Sequence, residues 1–455
     1  MTRARICLEH PGTIIRHHDF ENFPDGISPH ATAPFDYLIV ALAAVLSPFS
    51  DRALDLAGAF VSPLIAVVLG IFLCWWTRRI RLRFRFAALI IYGVSPILAH
   101  GTALGRPDHQ SLLIALIAVA VCADWILLSE PSPAWSFTAG AAWAIALWVS
   151  LYEPLLVMGT VMAVHGAKYF WRGPRRDSTD WLKWIVFAAV LLVAIVVERR
   201  APAWPDPRLA WALQNWGATV GELHRVRIPS TLWFEWCGWL VLLTPILFWK
   251  RNAPAFLLVL LLVTFALTIT QARWSYFFVL FFALVAPALL QSIPNRHLGI
   301  ALFFVSLWPV AQAWDRSIDH GVDGVREGQE LRALSAEVDG AFLAPWWFSP
   351  AISYWSNEPG VSGSSHETIA GTVDSARFYA TTKPQNASEI CVRRRVQWIV
   401  SYDADRLAAN SSAILDEPVS PDAMCYVLDR HPSRAPAFLQ LVAQTARFKL
   451  YRVKK

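Results

Sequence analysis

The sequence predicts a polytopic α-helical membrane protein carrying a C-terminal domain of mixed α/β structure, and three observations predict it. Of 455 residues, 55% are hydrophobic and only 16% charged, with 23 Trp and a mean hydropathy of +0.40, far from the balance of a soluble domain. Apolar runs of bilayer-spanning length, about 17 to 25 residues, recur over the first two thirds of the chain. After Trp314 polar residues, Gly and Pro return, and 325–455 reads as mixed helix and strand large enough to hold its own core.

The apolar runs fall near 55–76, 84–102, 110–128, 133–150, 151–167, 181–198, 231–249, 254–271, 274–292 and 297–315, which makes a transmembrane domain of about ten helices over 55–315. Lys and Arg in short loops stay cytoplasmic. Arg78 to Arg85, Lys168 to Arg176, Lys250-Arg251 and Arg296 all share one side if the ten segments cross alternately. The other, non-cytoplasmic side receives residues 1–54, the turn Gly105-Arg106-Pro107-Asp108-His109, Glu153, the large loop 199–230, Arg273 and the C-terminal domain 325–455. The apolar stretch 34–50 breaks this alternation if it is inserted, so it reads as an interfacial helix within the first external loop. These features describe a multi-pass protein of a plasma or inner membrane. The net charge of +6 is then mostly a topogenic signal. No basic stripe with interleaved aromatics stands on a soluble face, so nucleic acid is not an expected partner. There is no repeat, and the N-terminus lacks the layout of a signal peptide.

Charge near membrane depth is costly, several kcal/mol per group at the bilayer centre, and persists where it binds an ion, a substrate or a headgroup. The external face gathers such groups from distant loops: Arg106, Asp108 and His109, then Thr219-Val220-Gly221-Glu222 with His224, Arg225 and Arg227, then Arg273. Divalent cations such as Mg²⁺ or Mn²⁺ take carboxylate oxygens from separate segments, which makes Asp108 and Glu222 candidate metal ligands. Arginine matches phosphate with a planar fork, which makes Arg106 and Arg273 candidate phosphate clamps.

These residues carry a resemblance to the catalytic subunit of oligosaccharyltransferase and related GT-C membrane glycosyltransferases, over nearly the whole chain. Arg106-Pro107-Asp108-His109 looks like the family's acidic motif opening a helix. Thr219-Val220-Gly221-Glu222 resembles its T-[IV]-x-E element, and Arg273 in Ala272-Arg273-Trp274-Ser275-Tyr276 resembles the arginine that contacts the donor pyrophosphate. The resemblance implies transfer of a sugar or oligosaccharide from a polyprenyl phosphate or pyrophosphate to an acceptor, protein or glycan, by inverting displacement. Asp108 and Glu222 are then the catalytic, metal-holding pair, and Arg106, Arg273, His109, Trp346 and Trp347 the substrate-binding residues.

Two departures stand out. The family's D-x-D motif is absent: Asn22-Phe23-Pro24-Asp25-Gly26 and Pro34-Phe35-Asp36-Tyr37 look like the stretch that follows it, so the chain reads as a shortened version of a longer protein. In the tail, the W-W-D-Y-G that grips the acceptor sequon is replaced by Trp346-Trp347-Phe348-Ser349-Pro350. That replacement points to a divergent branch and favours polysaccharide or lipid as the alternative acceptor. The family also has some two more helices before the large external loop.

Plainer roles stand beside these. Asp108 suits a helix cap before Gln110, Glu222 a solvated loop charge, Arg273 an interfacial snorkelling residue, and Trp346 and Trp347 core or belt aromatics. His109 and His224 read as polar loop residues, with no zinc spacing among the His and Cys. Ser365-His366-Glu367 lacks a nucleophile elbow. Cys391 and Cys425 share the external domain, where an oxidising compartment permits a disulfide. A transporter or non-catalytic scaffold is the competing class, but transporters place polar groups near the bilayer midplane, whereas these lie at helix ends.

Overall fold

The structure, a computed structural model, describes residues 1–29, 33–172, 180–199, 208–250 and 252–454. Part of the basic loop Lys168 to Arg176, Arg251, and residues 200–207 of the large external loop lie outside the described residues.

Helices form where the apolar runs predict them. A short α1 (Thr2–Glu9) and α2 (Ala33–Leu46) precede α3 (Ala53–Arg79), α4 (Arg85–Val94), α5 (Pro96–Gly101), α6 (Gln110–Leu127), α7 (Pro133–Val149), α8 (Tyr152–Arg172) and α9 (Asp180–Glu198). After α10 (Arg208–Gln214) come α11 (Leu232–Cys237), α12 (Thr244–Lys250), α13 (Ala255–Thr270), α14 (Ser275–Gln291), α15 (Arg296–Ser306) and α16 (Trp308–Ser335). Among the described residues five helices are long and apolar enough to cross a membrane. The chain is that of an integral multi-pass membrane protein.

The bundle is organised around α14, whose residues Ser275 to Leu290 are all buried. A helix apolar on every side belongs in the centre of a bundle rather than against lipid alone. Several predicted spans are broken rather than continuous. The run 84–102 splits at Ser95, extended just before Pro96, a position where proline's ring disfavours helix for the preceding residue. The Ser95 hydroxyl bonds the Trp236 carbonyl at 2.8 Å. The run 231–249 breaks at Gly238, whose φ of +69° and close approach to the Ser306 carbonyl, where a Cβ would come within 2.4 Å, leave room only for glycine.

Deep in the bundle the carboxylate of Asp124 on α6 takes the Lys183 ammonium of α9 at 2.5 Å and the Trp143 indole of α7 at 3.0 Å. Each oxygen is thereby satisfied, the condition under which a buried charge persists. The pair knits three neighbouring helices.

The C-terminal domain holds a four-stranded sheet ordered β1 (Phe342–Leu343), β2 (Trp398–Ser401), β4 (Lys449–Val453), β3 (Leu439–Gln444). β1 and β2 are parallel and the rest antiparallel. Helices α17 (Ser349–Ser356), α18 (Ile369–Ala380), α19 (Pro384–Arg393), α20 (Ala404–Leu415) and α21 (Met424–Arg430) complete it. Its core starts at Leu331, inside α16, so one unbroken helix joins membrane bundle and domain across the predicted boundary at 315–325. Cys391 and Cys425 differ from the disulfide expectation: both are buried free thiols. Burial pushes the pKa of each thiol up, to about 12 for Cys391 and about 11 for Cys425.

The N-terminal segment packs on both parts. The Phe23 N–H donates to the Gly360 carbonyl at 3.1 Å and the Gly360 N–H returns to Phe20 at 3.0 Å. Arg394, 5% exposed, joins Asp25 at 2.9 Å to Asp374 at 2.7 Å. Toward the bundle, Arg3 pairs with buried Asp36 at 3.2 Å, and Arg16 caps the last carbonyls of α9, Val197 and Glu198, at 3.0 and 2.6 Å.

Candidate functional site

At the end of the bundle that meets the C-terminal domain, the loops carrying the predicted site residues converge. The turn before α6 is set by Gly105 at φ +79°, whose N–H reaches the Ala59 carbonyl of α3 at 3.0 Å. The Ser62 hydroxyl holds the Arg106 carbonyl at 2.8 Å. These contacts fix the backbone from which Arg106 extends.

Asp108 caps α6: one of its oxygens accepts the Gln110 N–H at 3.0 Å, and the Ser111 hydroxyl donates to its carbonyl at 2.8 Å. The other oxygen faces Arg106 Nη2 at 3.2 Å. His109 Nδ1 lies 3.3 Å from the capping oxygen. Burial alone would raise the Asp108 carboxyl, but His109, the Gln110 N–H and Arg106 together hold it below the usual carboxylate range. Capping and a place in the charged cluster thus coexist in one side chain.

Glu222 arrives from the large loop 199–230. That loop ends in a tight turn, Gly221–Leu223, pinned to the α13–α14 connection: the Ala272 N–H donates to the His224 carbonyl at 2.8 Å and the Val226 N–H to Ile269 at 3.2 Å. Glu222 Oε1 accepts Arg106 Nη2 at 2.5 Å and the Tyr276 hydroxyl at 3.2 Å. Tyr276 Oη is 2.9 Å from His100 Nδ1, and that nitrogen is 2.8 Å from Arg106 Nη1. One guanidinium therefore serves two carboxylates 114 residues apart in the chain (222 minus 108) and an imidazole.

Arg273 lies on the Ala272–Trp274 turn against which the Glu222 loop packs. Its guanidinium pairs with Glu153 at the start of α8. Glu153 is 1% exposed, and its second oxygen accepts the Ser150 hydroxyl at 2.7 Å. A buried carboxylate of this kind orients the arginine it holds.

Trp346 and Trp347 stand apart from this cluster, in the C-terminal domain. Trp346 meets Trp216 of the external loop edge to face at 5.4 Å and donates to Asn410 at 3.1 Å. Trp347 stacks under Arg406, 4.8 Å from its ring centre. Phe348 is buried against Tyr402 and Phe448 at 5.0 and 5.1 Å. The position that would carry an acceptor-gripping aspartate thus belongs to an aromatic core.

Sequence reasoning missed His100 and Tyr276, which are embedded in apolar runs. The only signal for Tyr276 was its place three residues after Arg273, one helical turn on; for His100 it was nearness to the charged turn. The metal expectation fares differently. No group of three His, Cys, Asp or Glu that could hold a metal ion occurs among the described residues, and the two predicted ligands converge on Arg106.

Comparison with known proteins adds the fold. By sequence, no family model matches the chain and no curated protein is detectably similar. Solved structures do match. An Archaeoglobus fulgidus oligosaccharyltransferase tethered to an acceptor peptide with an NVT sequon aligns at TM-score 0.65 and 12% identity over 97% of this chain and 74% of the other. The archaeal oligosaccharyltransferase AglB from Archaeoglobus fulgidus, in complex with an inhibitory peptide and a dolichol-phosphate, gives 0.66 and 12% over 98% and 75%. ArnT from Cupriavidus metallidurans bound to undecaprenyl phosphate gives 0.55 and 11% over 99% and 92%. An oligosaccharyltransferase from Archaeoglobus fulgidus has also been solved with Zn and sulfate, at 0.62 and 14%. At these identities the likeness is one of fold: the chain has the GT-C fold with a C-terminal globular domain, as the motif resemblance implied.

Proposed function

We propose that this chain is a membrane glycosyltransferase that moves a sugar or oligosaccharide from a polyprenyl phosphate or pyrophosphate to an acceptor at the non-cytoplasmic face. The observation that carries this reading is the meeting of Arg106, Asp108 and Glu222, from loops far apart in sequence, at one end of a GT-C bundle. A helix-end cluster of this kind is where a lipid headgroup reaches, which favours an enzyme over a transporter with midplane polar groups.

In the reaction, an acceptor atom attacks the anomeric carbon, the carbon–oxygen bond to phosphate breaks, and the electron pair leaves on the phosphate oxygen. Arg106 and Arg273 meet that charge, the main catalytic contribution of such a site. A hydroxyl acceptor loses its proton to a carboxylate, with Glu222 the better situated because Tyr276 and Arg106 already orient it. His109 lines the same turn and contacts Asp108. Two relatives were solved with a polyprenyl phosphate and one with an acceptor peptide. The buried Phe348 favours a glycan or lipid acceptor, with protein asparagine as the alternative, and leaves Trp346 and Trp347 to shape the acceptor side through Trp216.

A divalent metal fits the residues poorly. Mg²⁺ demands near-octahedral oxygen coordination at about 2.1 Å, whereas Asp108 and Glu222 both address a guanidinium. No step is therefore routed through a metal.

The test is transfer itself. Purified protein in lipid nanodiscs with a labelled polyprenyl-phosphate sugar should release labelled product in the presence of surface glycan or sequon peptide; absence of transfer to either acceptor class, with no cleavage of the donor, would remove the reading. The shared face has its own check. Cysteines introduced at positions 107 and 222 should react with an impermeant maleimide in intact cells, and one at position 82 only after permeabilisation. The reverse pattern would invert the site's side.

A further inference from the structure

We infer that the guanidinium of Arg106 takes the place of a divalent cation between Asp108 and Glu222, so that sugar transfer by this chain needs no metal. The inference rests on the glycosyltransferase reading and adds what neutralises the carboxylate pair. Its ground is what the two carboxylates hold. A single nitrogen, Nη2, is 3.2 Å from Asp108 Oδ2 and 2.5 Å from Glu222 Oε1. An ion placed between these oxygens would have to expel that nitrogen.

The arginine is fixed at its backbone and at its guanidinium. Its carbonyl is tied to Ser62 on α3 at 2.8 Å, and its Nη1 is 2.8 Å from His100 Nδ1. His100 is held in turn by Tyr276 at 2.9 Å, and Tyr276 by Glu222 at 3.2 Å. Tyr276 gives its single hydroxyl proton to Glu222, so Arg106, Glu222 and Tyr276 form the ordered part of the cluster and His100 packs beside it. About a third of the Arg106 side chain, 31%, remains exposed, so the cation that neutralises the carboxylates also presents a face to a phosphate. Arginine is suited to both tasks, since it stays charged at any physiological pH and carries five N–H donors in a rigid fork.

The decisive measurement is Mn²⁺ binding, read by loss of the free-ion electron paramagnetic resonance signal, on the full chain in nanodiscs. Wild type should leave the signal unchanged at equimolar to tenfold Mn²⁺. Arg106→Leu, which bares the carboxylate pair, should bind Mn²⁺ at least tenfold more tightly than wild type. Adding Asp108→Asn and Glu222→Gln to that variant should remove the binding. Stoichiometric Mn²⁺ binding by wild type that disappears in the Asp108→Asn/Glu222→Gln protein would overturn the inference, and it can be read even if Arg106→Leu does not fold. In the transfer assay, EDTA should change the wild-type rate less than twofold. A rate abolished by EDTA and restored by Mn²⁺ would also overturn it. Absence of transfer with and without metal would instead count against the glycosyltransferase reading, leaving the resonance measurement to decide the metal question alone.

Discussion

Glu222→Ala is expected to lower sugar transfer by ~100-fold or more, the scale of removing one preorganised electrostatic contact from an active site, with Asp108→Ala close to it. Glu222 fixes Arg106 at 2.5 Å and accepts from Tyr276, so its loss frees both the guanidinium and the phenol. The effect should appear in turnover, with donor KM changed less, because the arginine must be aligned when the phosphate bond breaks rather than when lipid docks. Asp108 adds a pH signature. Its folded pKa lies below the ordinary carboxylate value, so its contribution is fully present above that ordinary value and is lost as pH falls through the folded one. Cluster geometry should therefore persist from neutral into mildly acid solution. Steady-state rates of both variants at saturating donor check this, and near-wild-type turnover in both would remove the pair from the catalytic machinery.

Arg394→Met is expected to cost about 1.5–3 kcal/mol of stability, the scale of losing hydrogen bonds to charged groups. Arg394 is 5% exposed and bonds Asp374 at 2.7 Å, Asp25 at 2.9 Å and the Phe23 carbonyl at 3.3 Å. Removing it leaves Asp374 with Arg393, at 2.7 Å on its other oxygen, and strips the N-terminal segment of its main anchor on the domain. Asp25→Asn is the contrasting case. With a side chain 68% exposed, its pair with Arg394 should contribute within about 1 kcal/mol. Denaturant unfolding followed by intrinsic fluorescence, with protease cutting between residues 10 and 29 as second readout, separates the two. Equal stability of Arg394→Met and wild type would show that the segment docks by other means.

Much of the fold was legible because hydrophobic runs and basic loops are local signals. Helices cover the predicted apolar runs, with 84–102 and 231–249 broken and five helices among the described residues long and apolar enough to span, and a helix at 33–46 and a mixed sheet in the tail are present. What was not legible lies in side-to-side contact. The break at Gly238 answers to the Ser306 carbonyl, a neighbour no local pattern names, and the continuous α16 crosses the composition change because its N-terminal part packs on the bundle and its C-terminal part on the domain. At the site, the residue types and their order were readable, and Asp108, Glu222 and Arg106 do meet. The partner choice was not readable. Two acids and a base on two loops are compatible with acids around a metal or acids around the base, and only distances distinguish them. His100 and Tyr276 went unseen because a polar atom inside an apolar run looks like tolerated noise until its partner is known.

The docking of residues 20–29 onto the C-terminal domain has a consequence for how the molecule is made. Asp25 and Arg394 are 369 residues apart, and ribosomes add about 5–20 residues per second, so roughly 20–70 s separate their emergence. Through that interval Phe20, Phe23 and Asp25 have no binding surface of their own and must be kept from other chains while the helices are inserted one after another. A chain stalled before residue 394 would display an unclaimed apolar strap, which is a ready handle for quality-control chaperones and proteases on that side of the membrane.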